Sequence, residues 1–387
     1  MFSKRKISDS EWLYIYFHEM YNDFCIQIVV EGNGKIDVFE LKSAVKKASA
    51  INNFVRAKKN GLYWVDSGKS PEVIIHSCDL SVFLEHSNSN KYVSKLNESV
   101  SCIHYFPKSG HLLFQVFHGV MDGRGVLNFI QNIFKALNKQ TALVVLNSNT
   151  NDKQFVKSIK SKGKKIHFNF TYKSVARPIN LHSYHTGCKI IQLSQVHDTI
   201  VPRICYALHH SLSVKKSNWM IPVDLRRHKK NIKCDANLTL PIFLKIQTTD
   251  SYSDVKGNYL MSLKNSDEVC ASNAKIWGIS FLPSAIIRYV INILKKILIK
   301  RQRFPISGIV SFIEKSDLQN YSTECFKAIK MIALPCVQPF TPITIMVSMD
   351  TKNINLVFGY YHAWCSEAQI NDFINLFNTN FKNLHYE

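Results

Sequence analysis

The segment 112–137, LLFQVFHGVMDGRGVLNFIQNIFKAL, constrains the fold of this chain more than any other. An apolar strand pattern ends at His118, Asp122 and two glycines follow, and the next apolar residues recur with helical spacing. A rigid strand that delivers a titratable side chain to a loop is a common support for chemistry. The segment therefore predicts a strand, loop and helix unit with a reactive group at the strand end.

Strand and helix patterns are mixed on both sides of a polar, lysine-rich stretch, 147–169. This stretch lacks a sustained apolar period, which is typical of an exposed linker. We therefore predict an α/β (α+β) fold in two similar lobes. The N-terminal lobe is expected over 1–146, a linker or crossover over 147–180, and the C-terminal lobe over 181–387.

Individual segments give more local predictions. The aromatic and β-branched run at 12–31 predicts one or two opening strands, whereas 36–51 has the apolar spacing of a helix. Residues 102–117 predict a hairpin, and 218–228 predict a strand that leaves its sheet into a charged loop. The segment 283–301 predicts an amphipathic basic helix.

The composition limits the class of protein. The chain has 387 residues, 46% of them hydrophobic and 20% charged, which is typical of a globular protein. Its formal charge of +21 indicates an anionic partner. Ten cysteines without a C-x-x-C pair predict reduced thiols, and neither a secretory signal nor an uninterrupted membrane span is visible. We expect a soluble, cytoplasmic protein.

The loop residues around His118 leave several roles open. A histidine is largely neutral near pH 7 and is therefore a usable base. Asp122 could orient the His118 ring, cap the following helix, or pair with a distant cation, for which Arg226 is the candidate. Arg226 could equally belong to a solvated charge cluster. Gly123 and Gly125 are expected to supply backbone conformations that other residues avoid, which would let the loop turn sharply and a substrate approach closely.

The same residues resemble a known family. HGVMDG, 118–123, resembles the H-x-x-x-D-G motif of the chloramphenicol acetyltransferase-like superfamily, which includes condensation domains and alcohol and plant acyltransferases. IPVDLR, 221–226, is similar to its PV-x-L-R strand, and ANLTLPIFL, 236–244, resembles the asparagine-bearing strand that follows. The order and spacing agree over nearly the whole chain.

The resemblance implies a fold and roles for residues. It implies two chloramphenicol acetyltransferase-like lobes, each a mixed sheet backed by helices, with a tunnel between them. His118 would be the general base that takes a proton from the acceptor. Asp122 would be structural and paired with Arg226, and Gly123 would keep the tunnel wall thin.

The resemblance also implies the substrates. An acyl thioester, either acyl-CoA or an acylated acyl carrier protein, would be the co-substrate, and the acceptor would be an alcohol hydroxyl or, less readily, an amine. The phosphates of coenzyme A and the acidity of carrier proteins both suit the +21 charge. Neither a permanently bound cofactor nor a metal is expected. The alternatives are a free-standing condensation-type enzyme that acts on carrier-bound substrates and an inactive scaffold.

Three departures from the family pattern affect these expectations. Condensation domains begin H-H-x-x-x-D-G, but Phe117 occupies the first of these positions here. The plant D-F-G-W-G motif is missing. Many relatives carry S-N-x-G where this chain keeps only Ser311, so Ser311 and Thr344 are weak candidates for the oxyanion donor.

Other clusters are given less specific interpretations. The histidines at 181–185 and at 209 and 210 lack the spacing of metal ligands. The lysines of 147–169 come without a recognised nucleic-acid-binding module, so nucleic acid is not an expected partner. The basic helix at 283–301 favours packing on the core with a wet side, and peripheral membrane contact is its second interpretation.

Overall fold

The computed structural model describes most of the chain. The described residues are 4–21, 24–86, 93, 95–144, 151–159, 163, 170–173, 175, 186–194, 199–229, 234–271, 284–313, 317–337, 341–350, 353–362 and 364–384.

These residues form ten α-helices and fourteen strands. The helices are α1 (Asp9–Tyr21), α2 (Val38–Ile51), α3 (Leu80–His86), α4 (Gly123–Leu137), α5 (Asp152–Val156), α6 (Ile200–Ser211), α7 (Tyr252–Asn265), α8 (Asp267–Ala271), α9 (Ser284–Arg301) and α10 (Glu367–Asn383). The strands are β1 (Lys4–Lys6), β2 (Cys25–Gly34), β3 (Ala57–Asn60), β4 (Tyr63–Asp66), β5 (Glu72–Ile75), β6 (Ser101–Phe106), β7 (His111–Phe117), β8 (Thr186–Ser194), β9 (Lys216–Asp224), β10 (Thr239–Gln247), β11 (Gly308–Phe312), β12 (Phe326–Leu334), β13 (Ile343–Met349) and β14 (Asn353–Tyr361).

Two large mixed sheets organise the chain. One has five strands in the order β12-β2-β7-β6-β5, in which only β5 and β6 are parallel. The other has six strands in the order β10-β9-β11-β13-β14-β8, with β11 parallel to both of its neighbours. A small antiparallel sheet of β1, β4 and β3 completes the set.

Helices cover one face of each large sheet. The apolar sides of α2 and α4 pack with alternate residues of β2, β6 and β7 in one buried cluster. On the six-stranded sheet, α6 and α10 bury a second cluster with β9, β13 and β14. Each unit is therefore a sheet backed by helices, because one face of each sheet must be removed from water.

The other faces of the two sheets meet. Val29, Leu113 and Leu334 of the five-stranded sheet share a buried cluster with Val357 of the six-stranded sheet. The segment β12 comes from the part of the sequence assigned to the C-terminal lobe, but it pairs with β2 in the five-stranded sheet. The division of the lobes at 147–180 stays a prediction, because much of that range lies outside the described residues.

The first predicted strand was wrong. Residues 9–21 form helix α1, and only the second half of the run at 12–31 is a strand. Trp12, Ile15 and Tyr16 are buried at helical spacing. The missed signal is a capping box, since Ser8 lies three residues before Glu11, and the Ser8 N–H donates to Glu11 Oε2 at 2.8 Å.

The other local predictions are confirmed. The helix predicted at 36–51 is α2, and the hairpin is β6 and β7, with Gly110 at φ +65° in its turn. The strand predicted at 218–228 is β9 followed by one 3₁₀ turn, and the basic helix at 283–301 is α9. Among the described residues, no helix combines the length and apolar character needed to cross a membrane.

Candidate active site

His118 lies just beyond the end of β7, where the five-stranded sheet gives way to a turn. Its N–H donates to the Phe24 carbonyl at 2.9 Å, which extends the β2–β7 pairing by one residue. The ring lies beside the rings of Tyr14 and Phe24, with centroids 5.2 and 6.1 Å away. The residue is only partly buried although both of its sequence neighbours are fully buried. The histidine is therefore held rigidly at a partly exposed position.

Burial is the main influence on the charge of His118. It lowers the pKa of the imidazole below its usual value, while a hydrogen bond from the ring to the His118 carbonyl and the charge of Asp122 act in the opposite direction. Asn237 Nδ2 lies 3.5 Å from the ring Nδ1. In the tautomer in which Nδ1 donates to the His118 carbonyl, the lone pair of the neutral ring is on Nε2. The described residues provide no hydrogen bond to Nε2. This nitrogen is the one that could accept a proton.

Asn237, which precedes β10, holds the His118 main chain. Its Nδ2 donates to the His118 carbonyl at 2.8 Å. Its Oδ1 is buried without a hydrogen-bond partner among the described residues. The sequence interpretation did not single out Asn237 or Tyr14. The resemblance of ANLTLPIFL to an asparagine-bearing strand could have indicated Asn237. Tyr14 was missed because it lies in the run that was predicted to be a strand.

Asp122 accepts hydrogen bonds from four residues. Its Oδ1 accepts from the Gly125 N–H at 3.0 Å, which caps α4, and from Arg226 Nη2 at 3.2 Å. Its Oδ2 accepts from Arg226 Nη1 at 2.9 Å, from the Leu238 N–H at 2.8 Å and from the Thr239 hydroxyl at 3.2 Å. None of these bonds involves the His118 ring. Asp122 thus performs two of the roles left open by the sequence, capping a helix and pairing with a cation.

Arg226 uses all of its N–H groups. Besides Asp122, it donates to Asp224 at 2.8 Å and to the carbonyls of Cys234 and Ala236 at 2.8 and 2.7 Å. Burial by itself would lower the pKa of this guanidinium, but Asp122 and Asp224 raise it above its ordinary value. The interpretation of Arg226 as part of a solvated charge cluster is wrong, because its side chain is only 9% exposed.

The unusual backbone conformation expected at Gly123 and Gly125 is not found. Neither has a positive φ; both lie in the first turn of α4. A Cβ on Gly125 would lie 2.4 Å from the Asp235 carbonyl oxygen, so this position needs glycine for close approach. A Cβ on Gly123 would meet nothing within 4 Å. Gly123 therefore borders open space.

A second buried carboxylate lies behind the site. Asp235 accepts from Asn52 Nδ2 at 2.6 Å and from Asn128 Nδ2 at 3.1 Å, which links α2 and α4 to the segment before β10. Burial raises the pKa of Asp235 to about 6, against the effect of these donors. Together with the Met121–Ala236 bridge, these contacts fix the 234–238 segment against the His118 turn.

Ser311 and Thr344 lie on the parallel strands β11 and β13, on one face of the six-stranded sheet. Ile309 pairs with Thr344, and Ser311 pairs with Met346, two residues farther along β13. The Thr344 hydroxyl is buried without a partner among the described residues. No described hydrogen bond joins either residue to His118. The structure therefore leaves both as candidates only.

Among the described residues, no group of His, Cys, Asp and Glu side chains is arranged to hold a metal ion. The stretch 181–185 lies outside the described residues. His209 Nδ1 is 2.8 Å from the Ser217 hydroxyl within the core of the six-stranded sheet. Phe117, in the position of the first motif histidine of condensation domains, is buried against Trp64 and His18.

Comparison with known proteins shows which solved structures share this fold. No family model matches the sequence, and no curated protein matches it either. Solved structures do match over nearly their whole length. The epimerization domain of the third module of tyrocidine synthetase B is 9% identical, with a TM-score of 0.63 over 99% of this chain and 97% of that chain.

Two further solved structures that match this chain are an acetyltransferase and a condensation domain. The trichothecene 15-O-acetyltransferase TRI3 from Fusarium sporotrichioides is 12% identical, with a TM-score of 0.63 over 98% of this chain and 94% of that chain. The starter condensation domain of rhizomide synthetase RzmA is 11% identical, with a TM-score of 0.62 over 100% and 97%. At this identity the likeness establishes the fold alone, and the predicted two-lobed fold is confirmed.

Proposed function

We propose that this chain, which has the fold of the chloramphenicol acetyltransferase-like superfamily, transfers an acyl group from a thioester to a hydroxyl acceptor. The single observation that supports the proposal best is the state of His118. Asn237 holds its main-chain carbonyl at 2.8 Å, burial lowers the pKa of its imidazole, and its Nε2 has no hydrogen-bond partner among the described residues. Such a ring is largely neutral near pH 7 and can act as a general base.

The proposed reaction uses His118 as a general base. His118 Nε2 takes the proton of the acceptor hydroxyl as the oxygen forms a bond to the thioester carbonyl carbon. The tetrahedral oxyanion then collapses, the carbon–sulfur bond breaks, and the leaving thiolate takes the proton back from the imidazolium. A positioned base contributes about 10² to 10⁴-fold to such a step. The remainder must come from holding both substrates together and from stabilising the oxyanion.

The surrounding residues have structural roles in this proposal. Asn237 holds the His118 carbonyl and so positions the main chain that carries the ring. Asp122 and Arg226 fix the turn from behind, away from the substrate. Gly123 borders open space, and we propose that it forms the thin tunnel wall that the resemblance implies. Thr344, whose buried hydroxyl has no partner among the described residues, is the better of the two oxyanion candidates.

The donor is proposed to be acyl-CoA or an acylated carrier protein. One related structure, a variant of the RzmA starter condensation domain, is in complex with C8-CoA and has a TM-score of 0.66 with this chain at 9% identity. The chain's charge of +21 favours an anionic donor. The phosphates of coenzyme A and the acidic surface of a carrier protein both satisfy this requirement.

Product analysis tests the proposal. The purified protein would be incubated with a mixture of acyl-CoA thioesters and candidate alcohols, and the products would be identified by mass spectrometry. A new ester that is absent with the His118→Ala variant supports acyl transfer with His118 as base. Equal product formation by the variant would exclude this role for His118.

The donor is identified by substitution. Replacing acyl-CoA with an acylated carrier protein, at the same acyl length, separates the alcohol acyltransferase from a condensation-type enzyme. Phe117 in place of the first motif histidine favours the former. A chain that forms no product with either donor, and whose biological activity survives His118→Ala, would be a scaffold.

A further inference from the structure

Helix α9 presents an apolar stripe to solvent. Ile286, Val290, Ile293 and Ile297 follow one another at intervals of four, three and four residues, so they lie on one side of the helix. Each is between 39% and 48% exposed, and the neighbouring Tyr289 is 67% exposed. An isolated exposed apolar residue needs no explanation, but a continuous stripe indicates an interaction surface.

The opposite side of α9 is attached to the protein. Ile287 and Ile291 are buried in the core cluster of the five-stranded sheet. Arg288 Nη2 lies 3.0 Å from Glu19 Oε2 of α1, and Lys295 lies over the Tyr21 ring at 5.5 Å. The stripe is therefore the outward side of a firmly packed helix.

Cations border the stripe. Lys296, Lys300 and Arg301 are exposed next to it, and Ser284–Arg301 contains no acidic residue. Arg301 also lines a cavity of about 810 Å³ together with Arg303 and Lys173. Ser211, Ser213 and Asp372 line the same cavity, which is large enough for a phosphate-bearing headgroup.

We propose that the outward face of α9 docks on the surface of a membrane that contains anionic phospholipid. The apolar stripe would enter the boundary between headgroups and acyl chains, while Lys296, Lys300 and Arg301 meet phosphates. Apolar residues bordered by Lys and Arg are the pattern of helices that lie in this interface. With five cations in eighteen residues, α9 is suited to lie on a membrane rather than to cross it.

Charge decides between a membrane and a second copy of the chain. A symmetric dimer through α9 would bring together two faces that carry cations and no acidic residue, which is unfavourable. The formal charge of +21 adds repulsion between copies and attraction to anionic lipid. An anionic surface satisfies both features of the face, the apolar stripe and its cationic border.

Vesicle sedimentation with the full chain tests the proposal. We expect the protein to sediment with vesicles of phosphatidylcholine and phosphatidylserine, to remain in solution with phosphatidylcholine alone, and to be released by added salt. The double variant Ile293→Glu, Ile297→Glu should lose binding. Replacing Lys296 and Lys300 by Gln should weaken it about 25-fold, about fivefold for each lysine.

A matched control separates the stripe from general hydrophobicity. Phe39 on α2 is 83% exposed and lies on another helix, so Phe39→Glu should bind vesicles like the unaltered protein. The proposal is overturned if the unaltered protein ignores anionic vesicles or if the Ile293, Ile297 variant binds like the Phe39 variant. Dimers in ultracentrifugation that the stripe variant abolishes, without vesicle binding, would assign the face to a second copy instead. None of these measurements depends on acyl transfer.

Discussion

Arg226 and Asp122 are 104 positions apart in the sequence, and two hydrogen bonds of 2.9 and 3.2 Å join them. Arg226 follows β9 of the six-stranded sheet, whereas Asp122 follows β7 of the five-stranded sheet and caps α4. The pair therefore ties the two sheets together directly behind His118. Because both side chains are at most 9% exposed, water screens this attraction little.

Asp122→Asn should destabilise the protein. The variant removes the negative charge that compensates the buried guanidinium of Arg226. Breaking a buried ion pair costs about 3 to 5 kcal/mol. Urea unfolding would measure the loss. Asp224→Asn is the matched control, since Asp224 also contacts Arg226 but is 39% exposed, and it should cost about 1 kcal/mol or less. Unchanged stability of Asp122→Asn with lost turnover would instead indicate a direct chemical role for Asp122.

His118→Ala should reduce turnover by about 10² to 10⁴-fold, the contribution of a positioned general base. The expected defect is in kcat, and the melting temperature should change little because the residue is partly exposed. His111→Ala, at the start of the same strand, serves as the control and should keep full activity. Near-normal turnover by the His118 variant would contradict the proposed base.

The dependence of kcat/KM on pH should reflect the protonation of His118. A base works only when neutral, so kcat/KM should fall as the pH drops through the pKa of His118 and should be level above it. Burial lowers that pKa from 6.5, so the midpoint of the fall is expected below 6.5. Initial rates with a neutral acceptor across the acidic range measure it. A midpoint clearly above 6.5 would be inconsistent with a base desolvated in this way.

Gly125→Ala should destabilise the protein, whereas Gly123→Ala should not. The first places a Cβ 2.4 Å from the Asp235 carbonyl oxygen, and overpacking of this kind costs about 1 to 3 kcal/mol. The second meets nothing within 4 Å and should fold normally. Thermal melting of the two variants tests the pair. Equal melting temperatures would show that the backbone around Asp235 can move aside.

Asp235 should make stability depend on pH. Because the pKa of this carboxyl is raised from 3.8 to about 6, its protonation favours the folded state. This stabilisation is complete below pH 3.8 and is lost as the pH rises through about 6. The free energy of unfolding should therefore fall by roughly 3 kcal/mol over this interval, for a pKa shift of about two units. Asp235→Asn cannot ionise and should flatten this dependence. Urea unfolding of both proteins across this interval checks the difference, and parallel curves would assign the dependence to another group.

Local patterns predicted most elements because their signals are local. The hairpin of β6 and β7 follows from alternating apolar residues around Gly110, and α9 follows from its apolar period. Helix α1 was missed because Trp12, Ile15 and Tyr16 favour strands by propensity, and packing on the core overrode that preference. The capping box at Ser8 was the local signal that pointed the other way.

By itself, the sequence determined where a base could lie and which distant cation could pair with the aspartate, since the motif fixes residue types and their order. Only the tertiary structure decided what surrounds them. It placed Tyr14 and Asn237 at His118, gave Asp122 its two roles at once, and required Gly125 for close approach rather than for its φ. These contacts join residues far apart in the chain, and their distances depend on how two sheets pack, which no local pattern encodes.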